Sequence, residues 1–241
     1  MTVRIAMWSG PRNISTAMMR SFEARGDAAV DDEPFYAAWL AATGRAHPGR
    51  AEILAAQPTD PDEVARRLVG PAPGGKPVWY QKQMAQHLLP GTPRAWMEEV
   101  THAFLIREPE AMLTSFIENV PDVTLEETGL PQQVELVRGI EARGDTPPIL
   151  DAKDVLLDPA RALAALCERL GIAYTDRMLA WPSGPRAADG VWAKHWYAAV
   201  ERSTGFQPYR EKEARVPPAL RPLLEECRAL HAELYDRRLL R

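Results

Sequence analysis

A short polar loop near the N-terminus carries residue types that bind anions. It separates a predicted buried strand, residues 3–8, from a predicted helix that begins at Ser15. The loop consists of Ser9, Gly10, Pro11, Arg12, Asn13, Ile14, Ser15 and Thr16. A helix N-terminus presents unpaired backbone N–H groups and a partial positive charge, which favour phosphate or sulfate. Arg12 adds a guanidinium that binds two oxygens at once, and the hydroxyls of Ser15 and Thr16 add donors. The loop predicts an anion site; a structural turn with a solvated arginine is the alternative.

The loop differs from the GxxxxGK[ST] motif of ATP hydrolases. A glycine and the terminal hydroxyls are present, whereas Ile14 and Ser15 stand where that motif has its second glycine and its lysine. That lysine bridges the β- and γ-phosphates, so its absence disfavours an ATP or GTP hydrolase.

The elements around this loop predict an α/β fold. The predicted strands cover residues 3–8, 28–32, 77–82, 103–106 and 148–151. The predicted helices begin at Ser15, near residue 62, at Pro109 and at Pro159, and a last amphipathic helix covers residues 217–240. Strands alternating with helices form parallel sheets. We expect a three-layer α/β fold with a central parallel sheet of about five strands, in one domain over residues 1–241, with irregular insertions near 43–76 and 118–146.

Composition excludes several classes of protein. Lysine and arginine total 29 against 33 acidic residues, so the net charge of −4 argues against a nucleic-acid partner. Two cysteines cannot form a disulfide framework, and the five histidines lack metal-ligand spacing, so no metal is expected. The N-terminal apolar run is too short for a signal peptide, and no window reaches a membrane span. We expect a cytoplasmic protein with no membrane partner.

Two motifs resemble those of a known family. The sequence WSGPRNIST, which ends at Thr16, and the sequence DEPFY, which starts at Asp32, resemble the P-loop sulfotransferases and, within them, a bacterial branch with WSGPRNxST and DEPxY. The resemblance implies a P-loop-type fold and transfer of a sulfuryl group from 3′-phosphoadenosine 5′-phosphosulfate (PAPS) to a hydroxyl or amine of a small-molecule acceptor. PAP is then the product. No stretch suggests the lysine of a pyridoxal-phosphate enzyme in its usual setting.

The resemblance also implies binding roles for named residues. In the family, a proline, a basic residue, small residues and two hydroxyls hold the 5′-phosphosulfate, and the loop from Ser9 to Thr16 matches this pattern except at Ile14, where glycine is frequent. Arg107 and Ser115, eight residues apart, match the pair that holds the 3′-phosphate. Trp192 and Lys194 match more loosely a loop over the nucleotide, in which Trp192 would stack on adenine and either Lys194 or Arg186 would contact the 3′-phosphate. An ordinary helix start with a packed tryptophan is the alternative.

The candidates for catalysis are Arg12, Lys82, Glu33 and His87. Arg12 stabilises the leaving phosphate. Lys82 ends a predicted strand at the edge where ligands of parallel sheets collect, and family members have a lysine there. Many members have their basic histidine two residues later, where this chain has Met84. Glu33 in the DEPFY motif is therefore the favoured base, because a desolvated carboxylate gains a raised pKa, and His87 is the second candidate.

Three alternatives stay open at this level. A nucleotide-dependent kinase with a degenerate loop is disfavoured by the missing lysine. A non-catalytic nucleotide-binding module fits the departures at Ile14 and Met84. The apolar face of the C-terminal helix packs either on the domain or on a second subunit in a homodimer, and the sequence does not choose between them.

Overall fold

Five parallel strands form the centre of the protein. The computed structural model describes residues 2–211 and 215–240. The strands are β1 (Val3–Ser9), β2 (Ala28–Asp32), β3 (Val78–Met84), β4 (Thr101–Ile106) and β5 (Ile149–Asp151). They pair in the order β2-β3-β1-β4-β5, and each pair is parallel. The α/β prediction with about five parallel strands is confirmed.

Helices connect the strands and cover both faces of the sheet. They are α1 (Ser15–Ala24), α2 (Tyr36–Thr43), α3 (Arg50–Ala56), α4 (Pro61–Leu68), α5 (Pro109–Phe116), α6 (Leu130–Glu141), α7 (Ala152–Leu157), α8 (Pro159–Arg169), α9 (Ala193–Trp196), α10 (Ala198–Glu201) and α11 (Arg221–Tyr235). The Asp158 carboxylate caps α8 by accepting a hydrogen bond from the Arg161 backbone N–H at 3.1 Å. Within residues 2–211 and 215–240, no helix is both long enough and apolar enough to cross a membrane.

The side chains of β1 alternate between two hydrophobic cores. Ala6 and Trp8 pack on one face with residues of α4, α5, α6 and α11, whereas Ile5 and Met7 pack on the other face with residues of α1 and α8. This alternation follows from the two-residue period of a strand, and both faces of a parallel sheet are normally covered. The result is the expected three-layer arrangement.

The segments expected to be irregular contain additional helices. Residues 43–76 hold α3 as well as the predicted helix, which is α4, and residues 118–146 hold α6. Helix α3 was missed because it is short and buries a single hydrophobic side chain, Ile53. Ile53 belongs to a third core, formed with Trp39, Trp192 and Tyr197. The insertion at 43–76 therefore supports the segment that contains Trp192.

The C-terminal helix is shorter than predicted. A 3₁₀ turn covers Pro218–Leu220, and α11 begins only at Arg221, with Pro222 in its first turn. Proline fits the first turn because it lacks the N–H that would be unpaired there. Leu224 and Cys227 of α11 are buried in the core beside α5 and α6. The apolar face of this helix thus packs on the sheet's own helices.

The layered packing predicts a strong difference between two leucines. Leu163 in α8 is fully buried, whereas Leu157 at the end of α7 is 61% exposed. Replacing Leu163 by alanine removes buried methyl groups and leaves a cavity, so we expect Leu163→Ala to lower the free energy of unfolding by about 2–5 kcal/mol. Leu157→Ala is the matched control, with an expected change within about 0.5 kcal/mol. Urea unfolding measures both, and equal effects would contradict this packing.

Candidate active site

A large cavity lies at the carboxyl ends of the strands. Its volume is about 1270 Å³, enough for a nucleotide and a second small molecule. It is lined by these predicted site residues: Pro11, Arg12, Asn13, Ile14, Ser15, Thr16, Glu33, Lys82, His87, Arg107 and Ser115. Ser9 is fully buried behind them, where its hydroxyl lies 3.6 Å from the Met84 sulfur. The structure therefore brings the N-terminal loop, the β2 and β3 ends and the β4 end to one place.

The N-terminal loop is fixed to β4 and to a neighbouring turn. The Asn13 side-chain amide donates to the Leu105 carbonyl at 3.0 Å, and its oxygen accepts from the Ile14 N–H at 2.8 Å. A Cβ on Gly10 would lie 2.4 Å from the Thr128 carbonyl oxygen, so the close approach requires glycine. The Ile14 side chain packs against the core beside α1, which explains how a large residue fits where the family often has glycine.

Two arginines and a serine form one end of the cavity. The Arg12 Nε donates to the Ser115 hydroxyl at 2.9 Å, and Arg107 donates to the Arg12 backbone carbonyl. Burial lowers the pKa of both guanidinium groups, and the Arg12 charge lowers the pKa of Arg107 further. Like charges held close together in a partly buried wall repel each other, so this arrangement is stabilised when an anion lies between them.

A buried lysine organises the other end of the cavity. The Lys82 ammonium donates to Asp32 at 2.8 Å, to Glu33 at 2.7 Å and to the Tyr197 hydroxyl at 2.5 Å. Only 1% of the Lys82 side chain is exposed, against 2% for Asp32 and 12% for Glu33. An ammonium has three N–H donors, so these three contacts use all of them. Lys82 is held by neighbouring side chains and does not extend into the cavity as a free cation.

Two further donors hold the Asp32 carboxylate. The Tyr197 hydroxyl lies 2.8 Å from each Asp32 oxygen, and the Gly190 N–H donates to Asp32 at 3.1 Å. The Trp192 indole N–H donates to the Tyr197 hydroxyl at 3.1 Å. The buried side-chain polar atoms of Asp32, Tyr197 and Trp192 all have hydrogen-bond partners, as buried charges require.

The charges of this network do not cancel when both carboxylates are ionised. One ammonium faces two carboxylates, which leaves one negative charge in excess. Burial raises the pKa of Glu33, the Lys82 charge lowers it and the Asp32 charge raises it further, with a net increase. For Lys82, burial lowers the pKa, but the two carboxylates outweigh it and raise the pKa above its usual range. The pKa of Glu33 is therefore raised above its ordinary value, which makes the carboxylate a stronger proton acceptor.

His87 has a different environment. Its ring is buried and stacks on Tyr36, with ring centroids 4.7 Å apart. Burial, His47 and Lys82 lower its pKa well below the usual value, so the ring is neutral near pH 7. Both His87 and Glu33 line the cavity.

The structure corrects the expected positions of two residues and adds two others. Trp192 is 1% exposed in the third core, and Lys194 pairs with Glu52 on the surface at 2.6 Å, so neither lines the cavity. The loose match to a nucleotide loop failed because the tryptophan packs inward.

Asp32, interpreted from the sequence as a strand end, and Tyr197 both contact Lys82. Asp32 and Lys82 are register partners on the adjacent strands β2 and β3, so a correct strand pairing would have predicted their contact. No feature of the sequence predicts the position of Tyr197.

The close approach at Gly10 predicts that alanine is tolerated less well there than at an open glycine position. Alanine there would force the loop or the Thr128 carbonyl to move, so we expect Gly10→Ala to lower the free energy of unfolding by about 1–3 kcal/mol. Gly91→Ala is the matched control, because an added Cβ there meets nothing within 4 Å. Urea unfolding compares the two. An unchanged stability in Gly10→Ala would contradict the loop geometry described above.

Comparisons with known proteins agree with this architecture. A family model described as "Sulfotransferase domain" matches residues 3–223. Two proteins of Arabidopsis thaliana, branched-chain-amino-acid aminotransferase-like proteins 2 and 1, are each 36% identical over 227 residues. Each alignment covers 94% of this chain and 40% of the relative, so the chain spans about two fifths of their length.

Two solved structures share the fold. The sulfotransferase domain from the Synechococcus PCC 7002 olefin synthase has a TM-score of 0.56 at 15% identity, covering 95% of this chain and 94% of that one. A sulfotransferase from Alicyclobacillus acidocaldarius has a TM-score of 0.54 at 12% identity, covering 98% and 94%. Because the family model covers nearly the whole chain, this protein belongs to the sulfotransferase domain family.

Proposed function

We propose that this protein transfers a sulfuryl group from PAPS to a hydroxyl or amine of a small-molecule acceptor. The observation that carries the proposal is that one cavity joins two ends of opposite character. Arg12 and Arg107 form a cationic end beside the N-terminus of α1. Glu33 and Asp32 around Lys82 form an end with excess negative charge.

The cationic end fits a ligand with several anionic groups. Burial lowers the pKa of both guanidinium groups and the Arg12 charge lowers the pKa of Arg107 further, so a polyanion would stabilise their charged forms. The α1 N-terminus adds N–H groups and a partial positive charge. The loop from Pro11 to Thr16 would hold the 5′-phosphosulfate, and Arg107 with Ser115 would hold the 3′-phosphate. When bound, PAPS supplies an activated sulfuryl group and leaves as PAP.

At this end, Arg12 would stabilise the negative charge that develops on the leaving phosphate. Its guanidinium is oriented before the reaction by Ser115 and lies in a partly buried wall, where electrostatic stabilisation is stronger than in water. The α1 N-terminus acts in the same direction. Lys82, the second candidate from the sequence, has all three donors on protein acceptors and is better placed to hold Glu33.

At the other end, Glu33 would accept the proton of the acceptor. A general base works best when its pKa is close to the working pH, and burial with the Asp32 charge moves the pKa of Glu33 in that direction. His87 is a weaker candidate, because the depressed pKa of its ring makes it a poor proton acceptor. Glu33 also has a fixed orientation through its 2.7 Å contact with Lys82.

The donor site is tested by nucleotide binding. We expect adenosine 3′,5′-bisphosphate to bind more tightly than ADP or ATP, because only the first has a 3′-phosphate for Arg107 and Ser115. We expect Arg107→Ala to weaken this binding by about tenfold to a hundredfold, the loss of one or two charge-assisted hydrogen bonds. Isothermal titration calorimetry measures each affinity.

Arg94→Ala is the matched control, because this arginine is partly exposed, pairs with Glu135 and does not line the cavity. Preference for ATP would favour a nucleotide-dependent kinase and overturn the proposal. Tight binding of the bisphosphate without transfer to any acceptor in a broad screen would favour a binding module.

The proposed base is tested by its effect on turnover and on pH dependence. Glu33 must be ionised to accept a proton. We therefore expect kcat to rise as the pH increases through the raised pKa of Glu33, and turnover to be lost at pH values below that pKa. We expect Glu33→Gln to lower kcat by about a hundredfold to ten-thousandfold, to remove this acidic limb and to keep bisphosphate binding. PAP release from PAPS, with an acceptor found by screening, measures kcat.

His87→Phe is the companion variant, because phenylalanine keeps an aromatic ring against Tyr36 but cannot accept a proton. We expect it to retain the acidic limb. Loss of turnover in His87→Phe together with normal turnover in Glu33→Gln would assign the base to His87 instead.

A further inference from the structure

A segment remote from β2 in sequence supports the Lys82 network from one side. It runs from Asp189 to Tyr197 and includes α9, and we refer to it as the 189–197 segment. Two of its groups contact Asp32 directly, the Gly190 N–H at 3.1 Å and the Tyr197 hydroxyl at 2.8 Å. The segment thus supplies donors to the carboxylate that pairs with Lys82.

The 189–197 segment is anchored to the helix that follows the anion-binding loop. Arg20 of α1 is 1% exposed and pairs with Asp189 at 2.6 Å. The side chain of Asp189 is itself only 4% exposed, and it also accepts from the Arg186 N–H at 2.7 Å. A buried ion pair of this kind fixes position, because separating it leaves a charge without a partner. One end of the segment is therefore held by α1 and the other by Asp32.

Packing inside the segment leaves little freedom to move. A Cβ on Gly190 would lie 2.2 Å from the Trp192 ring, so the ring lies directly on the backbone that donates to Asp32. Trp192 in turn donates to the Tyr197 hydroxyl. The Tyr197 ring lies beside Lys82, whose ammonium is 4.8 Å from the ring centroid. The two donors to Asp32 are thus linked through one indole ring.

We propose that the 189–197 segment is a positioning element that holds Asp32 on Lys82 and thereby keeps Lys82 on Glu33 and away from the sulfate donor. Lys82 has no N–H left for another acceptor while Asp32, Glu33 and Tyr197 hold it. Asp32, Lys82 and Tyr197 act through Glu33, so they are positioning residues. The inference rests on the proposed function for the role of Glu33 as the base and for the sulfate donor.

The residues around Glu33 change its proton affinity in opposite directions. The groups that face it are Asp32 from β2, Lys82 from β3, Tyr36 from α2 and Tyr197 from the 189–197 segment. Beyond them, His47 and His87 contact Tyr36. Removing the Asp32 charge favours ionised Glu33, whereas removing a donor, Lys82 or the Tyr197 hydroxyl, disfavours it.

The first experiment measures the titration of Glu33 without any substrate. The whole chain is labelled with carboxyl-¹³C glutamate, and the Glu33 resonance is identified as the one missing from Glu33→Gln. We expect Asp32→Asn to move its titration to lower pH and Lys82→Met to move it to higher pH, each by about one unit. Tyr197→Phe keeps the ring and should also move it to higher pH.

Glu52→Gln is the matched control for this titration. It breaks the exposed pair with Lys194, which also joins the 189–197 segment to a neighbouring helix but does not touch Asp32 or Lys82. We expect no shift in Glu33. Circular dichroism first confirms that each variant folds. If Lys82→Met does not fold, the Glu33 titration of Tyr197→Phe is compared with that of wild type instead. Equal titrations in wild type, Asp32→Asn and Tyr197→Phe would overturn the proposal.

The second experiment separates this proposal from the proposed function. Calorimetry with adenosine 3′,5′-bisphosphate should give the same affinity, within about twofold, for wild type, Tyr197→Phe and Lys82→Met. A tenfold loss in Lys82→Met with binding intact in wild type would show that Lys82 contacts the donor, which overturns the positioning role alone. No binding to wild type would overturn the donor site while the Glu33 titrations still decide the positioning role.

Discussion

The buried ion pair between Lys82 and Asp32 is the interaction on which the Glu33 end of the cavity depends. Parallel pairing of β2 and β3 makes these residues register partners, so the fold itself places opposite charges side by side at the sheet edge. Buried charges are costly unless every donor and acceptor is used. Tyr197 and Gly190 donate further hydrogen bonds to Asp32, and Glu33 accepts one from Lys82. The second carboxylate leaves one excess negative charge, which the protein relieves by raising the proton affinity of Glu33.

The same electrostatic reasoning applies with opposite sign at the other end. Arg12 and Arg107 concentrate positive charge in a protein whose net charge is −4, so the local charge differs from the average. In the proposed reaction, a polyanionic donor would be attracted to that end and repelled by ionised Glu33, whereas a proton released by the acceptor would be attracted to Glu33. Under the proposed function, a cavity with this polarity would orient the two substrates towards each other. The five-stranded sheet contributes by ending β1, β2, β3 and β4 on one edge.

Local sequence patterns predicted most of the fold and the cationic end. Hydrophobic runs followed by glycine or proline mark strand ends, and the loop from Ser9 to Thr16 is contiguous, so both are visible in sequence. The Lys82 network is not, because its members come from β2, β3 and a segment more than 100 residues later. Residue type alone did not place Trp192, since an aromatic residue two positions before a lysine fits a nucleotide loop and a packed core equally well. Only burial and the hydrogen bond to Tyr197 distinguish the two.

Backbone strain is concentrated at the two proposed reacting groups. Among the described residues, Arg12 (φ 53°) and Glu33 (φ 46°) are the non-glycine residues with positive φ, and each follows a strand at the cavity edge. Left-handed backbone costs a side-chain-bearing residue about 1–2 kcal/mol, so the surroundings must enforce it. The Glu33 carbonyl accepts from the Tyr36 N–H and from Gln57, and the Arg12 carbonyl accepts from Arg107. These contacts hold the two backbones, while Ser115 orients the Arg12 side chain and Lys82 orients that of Glu33. Because the backbone fixes where each side chain starts, relaxing either turn would move its side chain away from the shared cavity, which ties the fold's least favourable backbone to its proposed chemistry.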